Sequence, residues 1–191
     1  MRGTTEKKRD GTKTIRLLVF LLSGLMVMTA SAAVYNFMYM QATSIGAQTA
    51  KVQFAPTTDS IAAGATIGTN GTYVSMTSMT GWPNSTRTYQ AAVGIQNLDT
   101  AARTIELKFD QAGDWSGSTA NINSITVIVR NMAGGTQQGT TINVGTAGST
   151  TGSISIPAST TWVVEWNITW KAGASSTNTV SVKLPLVVAG A

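Results

Sequence analysis

Three asparagines stand in the pattern that accepts an N-linked sugar: Asn70-Gly71-Thr72, Asn84-Ser85-Thr86 and Asn167-Ile168-Thr169. Such acceptors belong on the surface of an exported chain. Asn70 and Asn84 fall in predicted turns, and Asn167 lies on the outward face of a predicted strand, so each could carry a glycan without burying it. A second candidate is the pair Asp110 and Asp114 in "FDQAGDWSG". Two carboxylates with backbone carbonyls could approach Ca²⁺, but their spacing matches no standard loop and two acids are few for a hard cation. The pair reads as a solvated turn, and no metal site is expected. A third is aromatic. Trp162, Trp166 and Trp170 form a stripe that invites sugar stacking, yet they share a face with Val164 and Ile168 and read as core. Trp82 and Trp115 fall in predicted loops and are the better surface candidates, which keeps a carbohydrate-binding module open as an alternative.

Catalysis finds little to work with. The chain has no Cys and no His. Disulfides, thiol chemistry and the commonest metal ligands are therefore ruled out. Acid–base chemistry needs paired, tuned groups, but the acids are few and scattered. Glu106 and Asp110 flank Lys108 on one outward face. Ser and Thr are abundant, yet no Lys–Ser arrangement activates one and no Gly-rich loop cradles a phosphate. The expectation is a protein that is not an enzyme and carries no cofactor.

The elements that must position these residues are strands. "TIELKFD" puts Ile105, Leu107 and Phe109 on one face and Glu106, Lys108 and Asp110 on the other. "WVVEWNITWK" turns Trp162, Val164, Trp166, Ile168 and Trp170 inward, and Glu165, Asn167, Thr169 and Lys171 outward. "TVSVKLPLVV" reads as one strand with Val180, Val182, Leu184, Leu186 and Val188 inward. Weaker strands are predicted at 50–54, 72–79, 87–96, 124–130, 140–144 and 152–156. Gly/Thr/Ser/Asn/Pro-rich connections such as "GWPNSTR" separate them, and helical periodicity is absent after the leader. Many short alternating strands predict an all-β chain, a jelly-roll-like β-sandwich over 50–191.

The leader explains the charge. Only 11% of residues are charged, and the net charge is +5. Six cations and two acids precede residue 33, so four of the five net positive charges belong to the leader and no basic patch remains for nucleic acid. A basic start to Arg16, the apolar "LLVFLLSGLMVM" and the small-x-small "ASA" at 30–32 have the grammar of a secretory signal. Residues 1–32 are read as a signal peptide, cleaved between Ala32 and Ala33. The rival reading is a retained anchor, because Leu17 to Met40 is uncharged and exceeds the ~20 residues of a span. Under cleavage, only the precursor meets the membrane. Either way the remainder lies outside the cytoplasm.

Residues 33–49 make a tail and linker. Read as a strand, the tail puts Val34, Asn36, Met38 and Met40 on one face and Tyr35, Phe37 and Tyr39 on the other. Both faces are largely apolar, as in a strand buried on both sides. It could pack into its own domain, stay in the membrane, or complete the sheet of a neighbouring copy. That last fate is donor-strand complementation, head-to-tail and open-ended. Gln41 to Ala50 is small, polar and Gly-containing, and could carry the tail across.

The tail "AVYNFMYMQAT", then "AKVQFAP", then "GTNGTYVSMTSMTGWPNSTRTYQAAVGI" resemble archaeal bundling pilins and thread-type filament subunits, relatives of the biofilm matrix protein TasA. The resemblance covers most of 33–188 in pattern. It implies a jelly-roll-like domain polymerised by N-terminal donor strands, often glycosylated, in secreted cell-surface filaments and biofilms that bundle laterally. It carries the donor role to Val34, Tyr35, Asn36, Phe37, Met38, Tyr39 and Met40. The chain lacks the prepilin-type junction of type IV pilins, where a long apolar helix is retained after cleavage, which disfavours a type IV pilus. The alternative reading is a membrane-anchored or S-layer-associated cell-surface β-domain.

Overall fold

A computed structural model describes residues 49–189 and, upstream, positions 16, 18 and 19, which are helical. The chain divides into two units at Ala47/Gln48, and the architecture below is that of the second. The Ala32/Ala33 junction and the donor tail Val34–Met40 lie outside the described residues.

The described fold is all-β. Its elements are β1 (Val52–Ala55), a single helical turn α1 (Ser60–Ala63), β2 (Ala65–Ile67), β3 (Val74–Met76), β4 (Thr86–Asn97), β5 (Arg103–Phe109) and β6 (Trp115–Gly117). There follow β7 (Ile122–Arg130), β8 (Gln137–Asn143), β9 (Ser149–Thr150), β10 (Ile154–Ile156), β11 (Thr161–Trp170), β12 (Val180–Val182) and β13 (Leu186–Val188). The largest sheet has the order β1-β4-β11-β7-β8. A second has the order β10-β5-β13, with β9 also on β5. Two-stranded pairs β12-β6 and β2-β3 complete the set, and every pairing is antiparallel.

Alternation places the core. On β5, Ile105, Leu107 and Phe109 are buried while Glu106 and Lys108 are half-exposed. On β11, Trp162, Val164, Trp166 and Ile168 face the same cluster, joined by Val93 and Ile95 of β4 and Val127 and Val129 of β7. Both larger sheets thus contribute their apolar faces to one core, the geometry expected when each sheet has one wet side. The stripe Trp162 and Trp166 is core, and Trp170 packs against its margin.

Four expectations are corrected. The strand predicted over 179–188 is two strands. Pro185 has no N–H for a ladder, so β12 pairs with β6 and β13 with β5. Val188, expected inward, is exposed. Of the strand predicted over 72–79 only β3 forms, folded back on β2 through a turn in which Gly71 has φ 67°. The single turn α1, closed by Gly64 at φ 64°, is too short to bear on the expected absence of helical periodicity. Trp115 is no loop residue. It begins β6 and meets Phe109 edge-on, centroids 6.5 Å apart at 84°.

Candidate functional site

The two larger sheets are tied together along one side. Thr140 N donates to Thr151 O (2.9 Å), Thr140 Oγ1 to Thr150 O (2.5 Å), and Asn143 N to Ser149 Oγ (2.8 Å). These bonds join the outer edge of β8 to the β9 region, which itself pairs with β5. No equivalent seam is found on the other side among the described residues. There β13 is a terminal strand, paired only with β5. The long β4 is paired with β11 from Thr86 to Gln96, but with β1 only from Gly94 to Asn97.

Between those two neighbours the β4 backbone is handled locally and then left bare. Opposite Glu165, β4 carries the extra residues of a bulge. Asp59 N donates to Ala91 O (3.0 Å) and Ala91 N donates to Asp59 Oδ2 (3.0 Å). Ser60 Oγ donates to Ala92 O (3.0 Å). The small side chains of Ala91 and Ala92 let this clasp approach. Beyond it, Trp170 N donates to Ser85 O (3.1 Å), so alternation directs the backbone groups of Thr86 and Thr88 away from β11. Among the described residues no strand lies on that side of Thr86–Gln90. An unpaired row of this kind is a template for another strand. Partly buried apolar side chains pack against the core; they include Phe54 of β1, Val74 and Met76 of β3, Met79 just after it, and Leu184 and Leu186 before and on β13.

The wet face of the large sheet holds a polar cluster. Glu165 faces outward as expected, yet it is only 6% exposed. Arg130 Nε donates to Glu165 Oε2 (2.6 Å), Arg130 NH2 to Oε1 (3.2 Å), and Asn167 Nδ2 to Oε1 (2.9 Å). Burial opposes ionisation of Glu165, but the donors from Arg130 and Asn167 outweigh it and hold its carboxyl below the usual range. The same pairing raises Arg130. This is a satisfied structural network, joined by Thr88 Oγ1 donating to Asn167 Oδ1 (2.6 Å).

The three sequons therefore sit in different settings. Asn70 and Asn84 are exposed in turns. Thr72 N and Oγ1 both donate to Asn70 Oδ1 (3.3 and 2.7 Å). Asn167 is half-buried mid-strand, with both ends of its amide engaged. Asp114 ends a short 3₁₀ turn, Ala112–Asp114, and Asp110 precedes it; no cluster of three or more metal-type ligands occurs among the described residues. A shallow hollow lined by Ala112, Trp115, Thr119, Ala120 and Gly145 carries no ionisable side chain. Among the described residues no helix is long and apolar enough to cross a membrane.

No protein-family model matches the chain, and a search of curated proteins found no match.

Proposed function

We propose that this chain is the structural subunit of an extracellular filament, a jelly-roll-like sandwich that polymerises head-to-tail by donor-strand complementation. The donor is Val34–Met40 of one copy, freed by cleavage between Ala32 and Ala33. The observation that carries the reading is the pairing of two incomplete features: a tail apolar on both faces, and a β4 edge with no strand beside Thr86–Gln90, in a fold whose core has partly covered margins. Inserting the tail would satisfy both sets of backbone groups and cover the apolar margin. Each fully buried side chain of the tail would contribute about 1.5–3 kcal/mol. The contact is heterologous, so it propagates. The filament is secreted, cell-surface located, laterally bundled and N-glycosylated, and it performs no chemical change.

One observation favours a second reading. The uncharged run from Leu17 to Met40 is long enough for a span if cleavage fails, giving a membrane-anchored or S-layer-associated β-domain. Negative-stain images of the purified native protein, with its N-terminal sequence, decide between them. Filaments of protein starting at Ala33 support donor-strand assembly. Unassembled protein starting at Met1 supports the anchor.

A further inference from the structure

Trp82 is the tryptophan that the core does not explain. It is 63% exposed, whereas a Trp is ordinarily well covered. Yet its surroundings hold it still. Arg87 lies between two rings, its guanidinium carbon 5.3 Å from the Trp82 centroid and 4.8 Å from that of Tyr89. Tyr89 is buried, and its hydroxyl accepts from Thr80 N (2.8 Å). Arg87 NH1 donates to Thr80 Oγ1 (2.5 Å). Gly81 passes so close to Trp170 that a Cβ there would lie 2.5 Å from the indole. One face of Trp82 is thus taken by Arg87, and the other is presented to water on a fixed mount.

The chain then turns at once into a sequon. Pro83 and Asn84 are the central pair of a turn, Pro in the second position and Asn84 in the third at φ 54°, the residue pattern of a type II turn. Ser85 Oγ donates to Trp82 O (2.8 Å), and Asn84 N donates to Lys171 O (3.3 Å). Trp82 stands two residues before Asn84. The corresponding residue is Gly68 before Asn70, and the ion-paired Glu165 before Asn167.

We propose that Trp82-Pro83-Asn84-Ser85-Thr86 is a built glycan platform, in which the first sugar on Asn84 lays its C–H face on the free face of the Trp82 indole. The C–H face of a sugar is weakly positive and apolar, and the indole face is negative and apolar, so stacking removes both from water. The donor is a lipid-phosphate-linked oligosaccharide. A bond forms between Asn84 Nδ2 and the anomeric carbon, the carbon–oxygen bond to phosphate breaks, the lipid phosphate leaves with the electron pair, and the amide releases one proton. The proposal rests on the export part of the function given above and is independent of filament assembly.

The test uses the full chain secreted from a eukaryotic host whose glycans begin with N-acetylglucosamine, trimmed enzymatically to that single sugar. Sequencing the secreted protein checks export separately, by a start at Ala33. Peptide mass mapping then reads the occupancy of each sequon, and proton NMR reads the sugar. The expected result is occupancy at Asn84 with its sugar protons shifted upfield by the indole ring current. The melting temperature should rise over the sugar-free form, by an amount lost in Trp82→Ala and kept in Trp82→Phe. If Trp82→Ala does not fold, the ring-current shift in the parent protein decides. An unmodified Asn84 beside a modified Asn70, or unshifted sugar signals on Asn84, overturns the proposal.

Discussion

Arg130 grips Glu165 with two nitrogens across neighbouring strands, Nε to Oε2 at 2.6 Å and NH2 to Oε1 at 3.2 Å, on the wet face of the large sheet. Removing one partner strands the other. With Glu165 buried and Arg130 part-exposed, Arg130→Ala should cost about 3 kcal/mol, the lower end of the range for breaking a buried pair. Replacing both by apolar residues of similar volume should recover most of that loss. Urea unfolding monitored by Trp fluorescence measures it.

The same pair sets a pH dependence. The Glu165 carboxyl is held below its ordinary value of 4.5 in the folded chain. Its contribution is therefore complete above pH 4.5 and disappears as pH falls through the lower folded value. Glu165→Gln should flatten the fall in urea midpoint below pH 4.5. Part of that fall should survive, because Asp99 is also held low by Arg103, and Glu106 by Thr150 and Lys108. An unchanged profile in Glu165→Gln would show that the pair does not report on folding.

Asn97 is fully buried, and its side chain staples three segments. Its amide nitrogen lies within hydrogen-bond reach of Ala101 O (2.9 Å), Pro157 O (3.0 Å) and Ile156 O (3.2 Å), while its oxygen accepts from Asp99 N (3.0 Å). Asn97→Ala leaves those carbonyls without a donor and should cost about 1–3 kcal/mol. Asn97→Asp should cost more, because it sets a carboxylate oxygen against carbonyl oxygens. Thermal denaturation by circular dichroism ranks the two.

Thr88 tests the bare edge of β4. Its N–H points away from β11, so Thr88→Pro removes no backbone bond of the described fold, one of the settings in which a strand tolerates Pro. Its side-chain bond to Asn167 is lost as well, and Thr88→Ala controls for that. Both variants should melt within a few degrees of the parent. Filaments should be shorter or absent only with Pro. Full-length filaments of Thr88→Pro would move the assembly surface elsewhere, with the β13 edge the next to examine.

Much of the fold was legible because period two is strong where strands are long. Ile105, Leu107 and Phe109 announce β5, and Trp162, Val164, Trp166 and Ile168 announce β11. Elements of two to four residues, such as β2, β6, β9 and α1, hold too few residues for a period to show. The break between β12 and β13 was signalled by Pro185 and overridden by the alternation around it. The burial of Glu165 was hidden for another reason. The residue does lie on the outward face, but its burial depends on Arg130, 35 residues away in sequence. The open edge of β4 likewise has no local signature, because an unpaired edge is a property of the neighbours a strand lacks.

The most direct measurement is the length distribution, by negative-stain electron microscopy, of protein lacking residues 33–45 against the parent under identical conditions. Donor-strand assembly predicts monomers of lower melting temperature and no filaments. Filaments of parental length after that deletion would contradict it.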